Sequence, residues 1–331
     1  MVFVNTKVIL PLLAALTALA APLDNVDSSV SPVVDVVVDS DPTVGVDPTP
    51  AVDAVTSLAT VTSMTNGQVN ALTPYTYYAS AGYCNPSVTQ TWTCGANCNA
   101  NPGFKPIASG GDGSSTQFWY VGYDPTLQTI VVVHQGTDGS QILPLLTDAD
   151  IILDELSTSL FPGVPSSIRV HDGFANAHAN AANTVLSAVI TGVNTYGTRS
   201  VTTVGHSLGA AISLLDAIFL PLHISGLTVT YYGYGLPRVG NQDFANYVDS
   251  QLAGRFTRIT NHKDPIPIVP GRFLGFHHPS GEAHIDGAGV WRWCSGQDNT
   301  DAQCSIGDTP NLFVSDSNNH RGPYNGITIS C

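Results

Sequence analysis

A serine stands between two glycines in the segment Gly205–Gly209, which reads Gly-His-Ser-Leu-Gly. A motif this short also arises by chance, so its surroundings decide its meaning. It follows the β-branched run Ser200–Val204, typical of a strand, and precedes the apolar run Leu208–Leu220, typical of a buried helix. A serine on a tight strand-to-helix turn exposes its hydroxyl beside a helix N-terminus, which favours negative charge. The pattern predicts that Ser207 is a nucleophile, and the alternative is an ordinary turn serine.

A serine hydroxyl needs a base near neutral pH, and after a turn of this type an acid and then a histidine follow along the chain. Asp264 is the expected acid because it comes just after the strand-like run that ends at Asn261. The alternative is that Asp264 only begins the turn before Pro265. Asp216 and Asp243 fall within or at the start of predicted helices, so we do not expect either to reach the serine.

His320 is the expected base, since it belongs to the C-terminal segment of the chain, ahead of an expected final strand. Three other histidines also follow Asp264 and stay open as alternatives for the base: His277, His278 and His284. We expect His206, inside the motif, to pack beside the turn.

Hydrolysis through a tetrahedral oxyanion needs two preset N–H donors. The backbone N–H of Leu208, directly after the serine, is the first expected donor. The second is expected from the loop that follows the strand ending at His134, where Thr137 adds a hydroxyl; the alternative is an ordinary glycine turn.

Short β-rich runs alternate with helical segments, which is typical of a parallel sheet with crossover helices. The predicted strands are Gln117–Gly122, Thr129–His134, Ser200–Val204, Leu227–Gly233 and Phe256–Asn261. The predicted helices are Phe174–Gly192, Leu208–Leu220 and Gln242–Ala253. The fold class is therefore predicted as α/β, of the α/β-hydrolase type, with a central, mostly parallel sheet and flanking helices.

The N-terminal segments are expected to lie outside this fold. Residues 1–21 have the basic start and apolar run of a secretory signal peptide; the run is too short and wrongly flanked for a membrane anchor. Residues 22–70 contain seven aspartates and no Lys, Arg or aromatic residue, so we expect a disordered acidic propeptide or linker. Residues 71–331 then form one catalytic domain.

The net charge of −14 argues against a nucleic-acid partner, and no other run is long enough to span a membrane.

Six cysteines in an exported chain predict three disulfides, for which 15 pairings exist. Short spacing favours Cys94–Cys98 and Cys294–Cys304, which leaves Cys84 for the final residue, Cys331. That last bridge is expected to tie the first strand of the domain to its last strand. A metal site is the rival interpretation, and it is disfavoured because no histidine lies near the first three cysteines.

Taken together, these residues resemble the fungal class 3 lipases, the family of secreted triacylglycerol lipases and related feruloyl esterases, and in particular its basidiomycete members. The resemblance runs from about residue 72 to Cys331. It rests on the following segments: Tyr75–Cys84 with Cys94 and Cys98, Val131–Thr137, Val170–Phe174, Gly205–Gly209, Tyr234–Gly240, Asp264 before Pro265, and His320 ahead of the final cysteine.

The resemblance implies a triad of Ser207, Asp264 and His320, an oxyanion hole of Thr137 and Leu208, and the same three disulfides. It also implies a short helical lid at about 138–148, where Ile142, Leu143, Pro144, Leu145 and Leu146 form an apolar cluster. The alternative for this cluster is an ordinary buried helix.

Two features depart from the family pattern. Many relatives carry Arg where this chain has Gln135, so a neutral hydrogen bond must replace an ion pair beneath the oxyanion loop. The expected lid also lacks Trp. Both departures widen the range of ester substrates that the sequence allows.

The leading hypothesis is a secreted, monomeric triacylglycerol lipase that meets its ester substrate at a lipid–water interface. The chemistry needs no metal and no organic cofactor. The alternative enzyme is a feruloyl, xanthophyll or broad-specificity esterase on the same fold. A secreted binding protein without catalytic activity is the alternative from another class.

Overall fold

The computed structural model describes residues 60–137, 143, 144, 146, 147 and 152–331. They fall within one folded unit, Thr56–Cys331. The expected signal peptide, residues 1–21, and residues 22–59 of the expected acidic segment lie outside the described residues. So does most of the expected lid.

The described strands are short and number thirteen. They are β1 Val61–Ser63, β2 Lys105–Gly110, β3 Trp119–Asp124, β4 Thr129–His134, β5 Leu153–Glu155, β6 Arg169–His171, β7 Ser200–His206, β8 Thr228–Tyr234, β9 Gly240–Asn241, β10 Phe256–Asn261, β11 Phe276–His277, β12 Glu282–Ile285 and β13 Trp291–Cys294. The strands predicted from the sequence correspond to β3, β4, β7, β8 and β10, with ends that differ by at most two residues.

The helices alternate with these strands. The α-helices are α1 Asn66–Ala81, α2 Pro86–Thr89, α3 Ala96–Asn99, α4 Asp172–Ala179, α5 Ala182–Tyr196, α6 Leu208–His223, α7 Gln242–Gln251 and α8 Ser305–Asp308. Single 3-10 turns lie at Ile266–Ile268, Arg272–Leu274, Leu312–Val314 and Ser317–Asn319.

The main sheet has nine described strands in the order β1, β13, β12, β10, β8, β7, β4, β3, β2. Its centre, from β4 to β12, is parallel, as the alternation of strands and helices predicts. The outer strands on both sides pair antiparallel, so the whole sheet is mixed. A second, four-stranded antiparallel sheet contains β11, β9, β6 and β5. The parallel centre places the carboxyl ends of β4, β7, β8 and β10 at one edge.

Successive side chains of the central strands serve two separate cores, because they point to opposite faces of the sheet. In β4, Ile130 and Val132 pack into the core beneath α4, α5, α6 and α7. Val131 and Val133 pack into the core beneath α1. The helix α6 is buried over the whole stretch Gly209–Leu220, which confirms the expectation from its apolar character on all sides.

The folded domain begins earlier than the predicted boundary at residue 71. Strand β1 pairs with β13, and α1 starts at Asn66, so residues 61–70 are ordered rather than part of an acidic tail. A capping box fixes this helix start: the Gln68 N–H donates to the side chain of Thr65, and the Thr65 N–H donates to the side chain of Gln68.

Two further expectations were wrong in detail. The predicted helix Phe174–Gly192 is two helices, α4 and α5, because the chain breaks at Asn180, whose side-chain amide donates to the carbonyl of Ser115. The strand expected after His320 is absent from the described structure, where a single bridge joins Tyr324 to Ile327.

None of the helices in the described part of the chain combines the length and the apolar character that crossing a bilayer requires.

Candidate active site

Ser207 occupies the turn between β7 and α6 in a strained backbone conformation. Its φ is 60° and its ψ is −130°, a region that residues other than glycine rarely adopt. The turn is so tight that a Cβ on Gly205 would overlap the backbone of Gly209, and a Cβ on Gly209 would overlap the carbonyl of His134. The two glycines therefore permit the sharp turn that presents the serine at the carboxyl edge of the sheet.

Asp264 and His320 meet at this same edge. Asp264 follows the end of β10, and His320 follows the 3-10 turn Ser317–Asn319. The His320 Nδ1 lies 2.9 Å from Asp264 Oδ2 and 3.1 Å from Asp264 Oδ1, and both residues are buried. The backbone N–H of Ile266 donates to Asp264 Oδ1 at 2.9 Å and holds the carboxylate in place. The alternative role of Asp264 as a turn former thus coexists with the histidine contact.

This contact assigns the tautomer of His320. A carboxylate only accepts hydrogen bonds, so Nδ1 carries the proton and Nε2 keeps its lone pair. Neither His320 Nε2 nor Ser207 Oγ has a hydrogen-bond partner among the described residues, although both atoms are buried. A buried polar atom without a partner is uncommon and calls for an explanation.

The chain brings these two unbonded atoms into one neighbourhood. The ring of His206, the residue before the serine, lies 4.4 Å from the ring of His320. The N–H of Ser207 donates to the carbonyl of Tyr234 at 2.9 Å, and a Cβ on the next residue, Gly235, would lie 2.9 Å from His320 Cε1. Gly235 has a φ of 55°, so both its conformation and its contact with the imidazole favour glycine.

His206 fixes the backbone of His320 rather than only packing beside the turn. Its Nε2 donates to the carbonyl of His320 at 2.7 Å, so its Nδ1 accepts from the hydroxyl of Tyr83 at 2.6 Å. The Tyr324 hydroxyl donates to the same carbonyl at 3.0 Å. Burial is the main reason that the pKa of His206 lies well below its ordinary value, and the guanidinium of the nearby Arg321 lowers it further. His206 is therefore a neutral, doubly bonded support.

Leu208 and the loop that leads to Thr137 both adjoin Ser207. Leu208 is the first residue of α6, where the helix itself supplies no acceptor for the N–H. A Cβ on Gly136 would lie 2.8 Å from the Cβ of Ser207, so the loop that carries Thr137 passes directly over the serine. Gln135 anchors this loop: its side-chain oxygen accepts from the N–H of Phe118 at 3.0 Å, a neutral hydrogen bond.

The other histidines after Asp264 are engaged elsewhere. The His277 Nδ1 lies 3.3 Å from Asp298, and the His278 Nε2 donates to the carbonyl of Pro267 at 2.8 Å. The His284 Nδ1 lies 2.8 Å from the hydroxyl of Thr260. The structure thus brings only His320, of the four histidines considered, against Asp264.

Comparison with known proteins identifies the family of this chain. Residues 131–274 match the family described as Lipase (class 3). A secreted mono- and diacylglycerol lipase of Malassezia globosa is 30% identical over 224 residues, which cover 64% of this chain and 72% of that protein. The chain belongs to the class 3 lipase family.

Other relatives agree in family and in fold. A secreted mono- and diacylglycerol lipase of Malassezia restricta is 31% identical over 199 residues, 56% of this chain; the match spans 66% of that protein's length. Among solved structures, a triacylglyceride lipase of Rhizomucor miehei aligns with a TM-score of 0.69 at 28% identity, covering 82% of this chain and 98% of that one. The likeness supports the α/β-hydrolase architecture predicted from the sequence.

Three disulfides are present in the described structure: Cys84–Cys331, Cys94–Cys98 and Cys294–Cys304. The first does not join two strands as expected. Cys84 lies just after α1, and Cys331 lies outside all of the described strands. The one group of metal-type ligands in the described residues, Glu282 with Cys294 and Cys304, includes both partners of a disulfide and therefore offers no free thiolate.

The expected lid lies mostly outside the described residues. Of its apolar cluster, Ile142 and Leu145 lie outside them, whereas Leu143, Pro144 and Leu146 are described. Leu146 is buried in the larger core, and Leu143 packs partly against it.

Sequence reasoning missed a polar cluster beneath the oxyanion loop. Asp216, which was set aside because it lies within a helix, binds His134 and His178 in the core. The signal available was an aspartate inside an apolar helix, since a buried charge requires partners. That signal does not say which of the histidines are the partners.

Proposed function

We propose that this chain is a secreted serine carboxylic-ester hydrolase, a lipase that acts through an acyl-enzyme on Ser207. One observation carries the proposal: Asp264 holds the Nδ1 of His320, while His320 Nε2 and Ser207 Oγ are both buried and unbonded within the described structure. In a member of the class 3 lipase family, such a pair fits a base and a nucleophile awaiting a substrate carbonyl.

The first half of the reaction forms the acyl-enzyme. Ser207 Oγ attacks the ester carbonyl carbon while His320 Nε2 takes the hydroxyl proton. Asp264 keeps the imidazole in the required tautomer and stabilises the imidazolium that results. The tetrahedral intermediate collapses when His320 returns this proton to the departing alcohol oxygen, which leaves the acyl group on Ser207.

The developing oxyanion requires donors that are already in place. The N–H of Leu208 and the Thr137 loop over Ser207 are the groups we assign to this role. Donors of this kind supply several kcal/mol at the transition state, because they need no reorganisation when the charge appears. The N-terminus of the 16-residue helix α6 adds favourable electrostatic potential at the same point.

The second half releases the acid. A water molecule gives its proton to His320 Nε2 and attacks the acyl carbonyl, and a second tetrahedral intermediate forms on the same donors. His320 then returns the proton to Ser207. The chemistry of these steps needs no metal and no organic cofactor.

The substrate class is inferred from relatives. The Malassezia proteins are named for mono- and diacylglycerols, and the Rhizomucor miehei protein is named for triacylglycerides. We propose an acylglycerol substrate with a long acyl chain. Triolein and monoolein assayed side by side separate the full from the partial glycerides.

Secretion is supported by two observations. Three disulfides persist only in an oxidising environment, which the outside of the cell provides. The Malassezia relatives are named as secreted lipases.

Two exposed phenylalanines support contact with a lipid–water interface. Phe273 is 90% exposed and Phe313 is 99% exposed, each on a 3-10 turn. Phe273 comes after Asp264 in the chain, and Phe313 comes before His320; the N–H of Asp316 donates to the carbonyl of Lys263, which ties their loops together beside the site. We propose that these two almost fully exposed aromatic side chains enter the lipid surface.

The central experiment compares Ser207→Ala with Ser213→Ala in turnover of a soluble ester, p-nitrophenyl butyrate. Ser213 is a buried serine on the same helix that donates to the carbonyl of Val204 and has no place in the chemistry. The proposal expects Ser207→Ala to lose turnover entirely and Ser213→Ala to retain it. Ester hydrolysis that survives in folded Ser207→Ala would refute the assignment.

The interface is tested separately with Phe313→Ser and a control, Ile190→Ser. Ile190 is also exposed, at 40%, but lies on α5 away from the Asp264 and His320 loops. We expect Phe313→Ser to lower the rate on a triolein emulsion without changing the rate on the soluble ester. Equal emulsion rates for the two variants would remove Phe313 from the interface.

A further inference from the structure

Asp216 lies inside helix α6 with both carboxylate oxygens bonded to imidazoles. The His134 Nε2 is 2.7 Å from Asp216 Oδ2, and the His178 Nε2 is 3.0 Å from Asp216 Oδ1. All three residues are at least 98% buried in the larger core, among apolar side chains of α4, α6 and β4. Burial alone would raise the pKa of Asp216, but the contacts with His134 and His178 outweigh it and lower the pKa to about 2.

These bonds join three separate segments at one point. His134 is the last residue of β4, His178 lies in α4, and Asp216 lies on the helix that begins directly after Ser207. The two assigned oxyanion donors come from two of these segments. Thr137 follows β4 by three residues, and Leu208 is the first residue of α6.

His134 is held against α6 at two places. Its backbone carbonyl touches Gly209 so closely that a Cβ there would overlap it. Its side chain reaches Asp216, farther along the same helix. A residue fixed to one helix through both its backbone and its side chain cannot rotate or slide along that helix, so the strand end and the helix start keep a constant spacing.

Helix α6 has a second polar bond to the sheet that does not involve this strand end. The hydroxyl of Ser213 donates to the carbonyl of Val204 on β7 at 2.7 Å. Removing that bond loosens α6 on the sheet but leaves the contact between α6 and His134 intact. The variant Ser213→Ala, which removes this bond, is therefore the matched control.

We propose that Asp216 is a positioning residue which, through His134, sets the spacing between the Thr137 loop and the N–H of Leu208. This inference rests on the proposed ester hydrolysis and deepens it. Asp216 touches no reacting atom. Its effect falls on the transition state, where oxyanion donors must be in place, and not on the binding of the ground-state ester.

The proposal makes a specific kinetic prediction for Asp216→Asn and His134→Phe. His134→Phe removes the bond, and Asp216→Asn leaves one amide oxygen for two imidazole donors; each should lower kcat on p-nitrophenyl butyrate by roughly 10- to 100-fold, the cost of misplacing a donor rather than deleting it. KM should stay within about two-fold, because ground-state binding is unaffected. His134→Gln keeps an N–H donor near the position of Nε2 and should restore most of kcat.

The experiment measures kcat, KM and thermal unfolding for the wild type and these variants, with Ser213→Ala as control. The proposal expects the loss of kcat in Asp216→Asn and His134→Phe, recovery in His134→Gln, and a near-normal kcat in Ser213→Ala even where its Tm falls. His134→Phe and His134→Gln carry the test if Asp216→Asn does not fold.

Two results would overturn the inference. One is a normal kcat in folded His134→Phe, which would leave Asp216 a structural role only. The other is an equal loss of kcat in Ser213→Ala, which would show that any weakening of α6 has this effect. Failure of the proposed function is a different result, since the wild type itself would then not hydrolyse the ester.

Discussion

Asp264 and Asp216 are buried aspartates of the described structure that each bind a histidine, and they bind it through different nitrogens of the imidazole ring. Asp264 binds His320 through Nδ1 at 2.9 Å, whereas Asp216 binds His134 through Nε2 at 2.7 Å. Distance and burial are alike in the two pairs. The difference is which nitrogen stays unbonded: Nε2 of His320 has no partner among the described residues, and Nε2 of His134 is bonded to the carboxylate.

The comparison shows that orientation, rather than the pairing itself, separates a base from a support. An imidazole held by Nδ1 presents its outer nitrogen to a neighbour, as His320 does toward the region of Ser207. An imidazole held by Nε2 has its outer nitrogen bonded to the carboxylate, so that nitrogen cannot take a proton from a neighbouring hydroxyl. The two aspartates also differ in setting, since Asp264 lies on a loop and Asp216 lies inside a helix.

The strongest way to break this comparison is to substitute Asp264. In Asp264→Asn the amide also offers a donor to Nδ1, which favours the wrong imidazole tautomer, so kcat should fall by about 10⁴-fold. Asp216→Asn, which changes the other pair in the same way, should cost far less. Steady-state rates on a soluble ester measure both, and equal losses in the two variants would contradict the distinction.

A second test concerns the disulfide that fixes the C-terminal segment, which carries His320. The His320 pair depends on the C-terminal segment, which Cys84–Cys331 closes across 247 residues and which Ser330 bonds to Ser80. Replacing both cysteines by Ser should lower the free energy of unfolding by about 5 kcal/mol, since so long a loop gains much entropy when unfolded.

The matched control replaces Cys94 and Cys98, whose bridge spans only 4 residues. That double variant should lose only about 2 kcal/mol, because a short loop constrains the unfolded chain less. Urea unfolding monitored by Trp fluorescence gives both values. A larger loss of stability for the short bridge would show that loop length does not determine how much each disulfide stabilises the fold.

The smallest effect expected is a dependence of stability on pH. The pKa of Asp216 is lowered to about 2, so its ionised form stabilises the fold above the ordinary value near 3.8, and this contribution is lost as pH falls through about 2. The contribution is about 2 kcal/mol, and Asp216→Asn should lack it. Free energies of unfolding between pH 5 and pH 2 should therefore fall less steeply in the variant; parallel curves would argue against an ionised Asp216.

The sequence predicted the parts of the site that rest on local patterns. Ser207 was found from a strand, a glycine-flanked turn and a helix in succession, all of which are short-range features. Asp264 and His320 were chosen by their order in the chain and by their resemblance to a family. Their contact across 56 residues is a result of the parallel sheet centre, which the alternation of strands and helices predicted.

What the sequence did not predict depends on tertiary contacts. Strand β1 is a strand because β13 is available to pair with it, and nothing within residues 61–63 demands that partner. The break between α4 and α5 follows a bond from Asn180 to Ser115, far away in the chain. The cluster around Asp216 needed the relative position of three segments, so a helical aspartate gave no indication of which histidines it binds.

The central claim, that Ser207 is the nucleophile activated by His320, is tested most directly by covalent labelling. The full chain is treated with a p-nitrophenyl alkylphosphonate, digested and analysed by peptide mass spectrometry, with His320→Ala alongside. We expect one adduct, on Ser207, formed with release of one equivalent of p-nitrophenol and greatly slowed in His320→Ala. An active enzyme that carries the adduct on another residue, or labels Ser207 equally fast without His320, would contradict it.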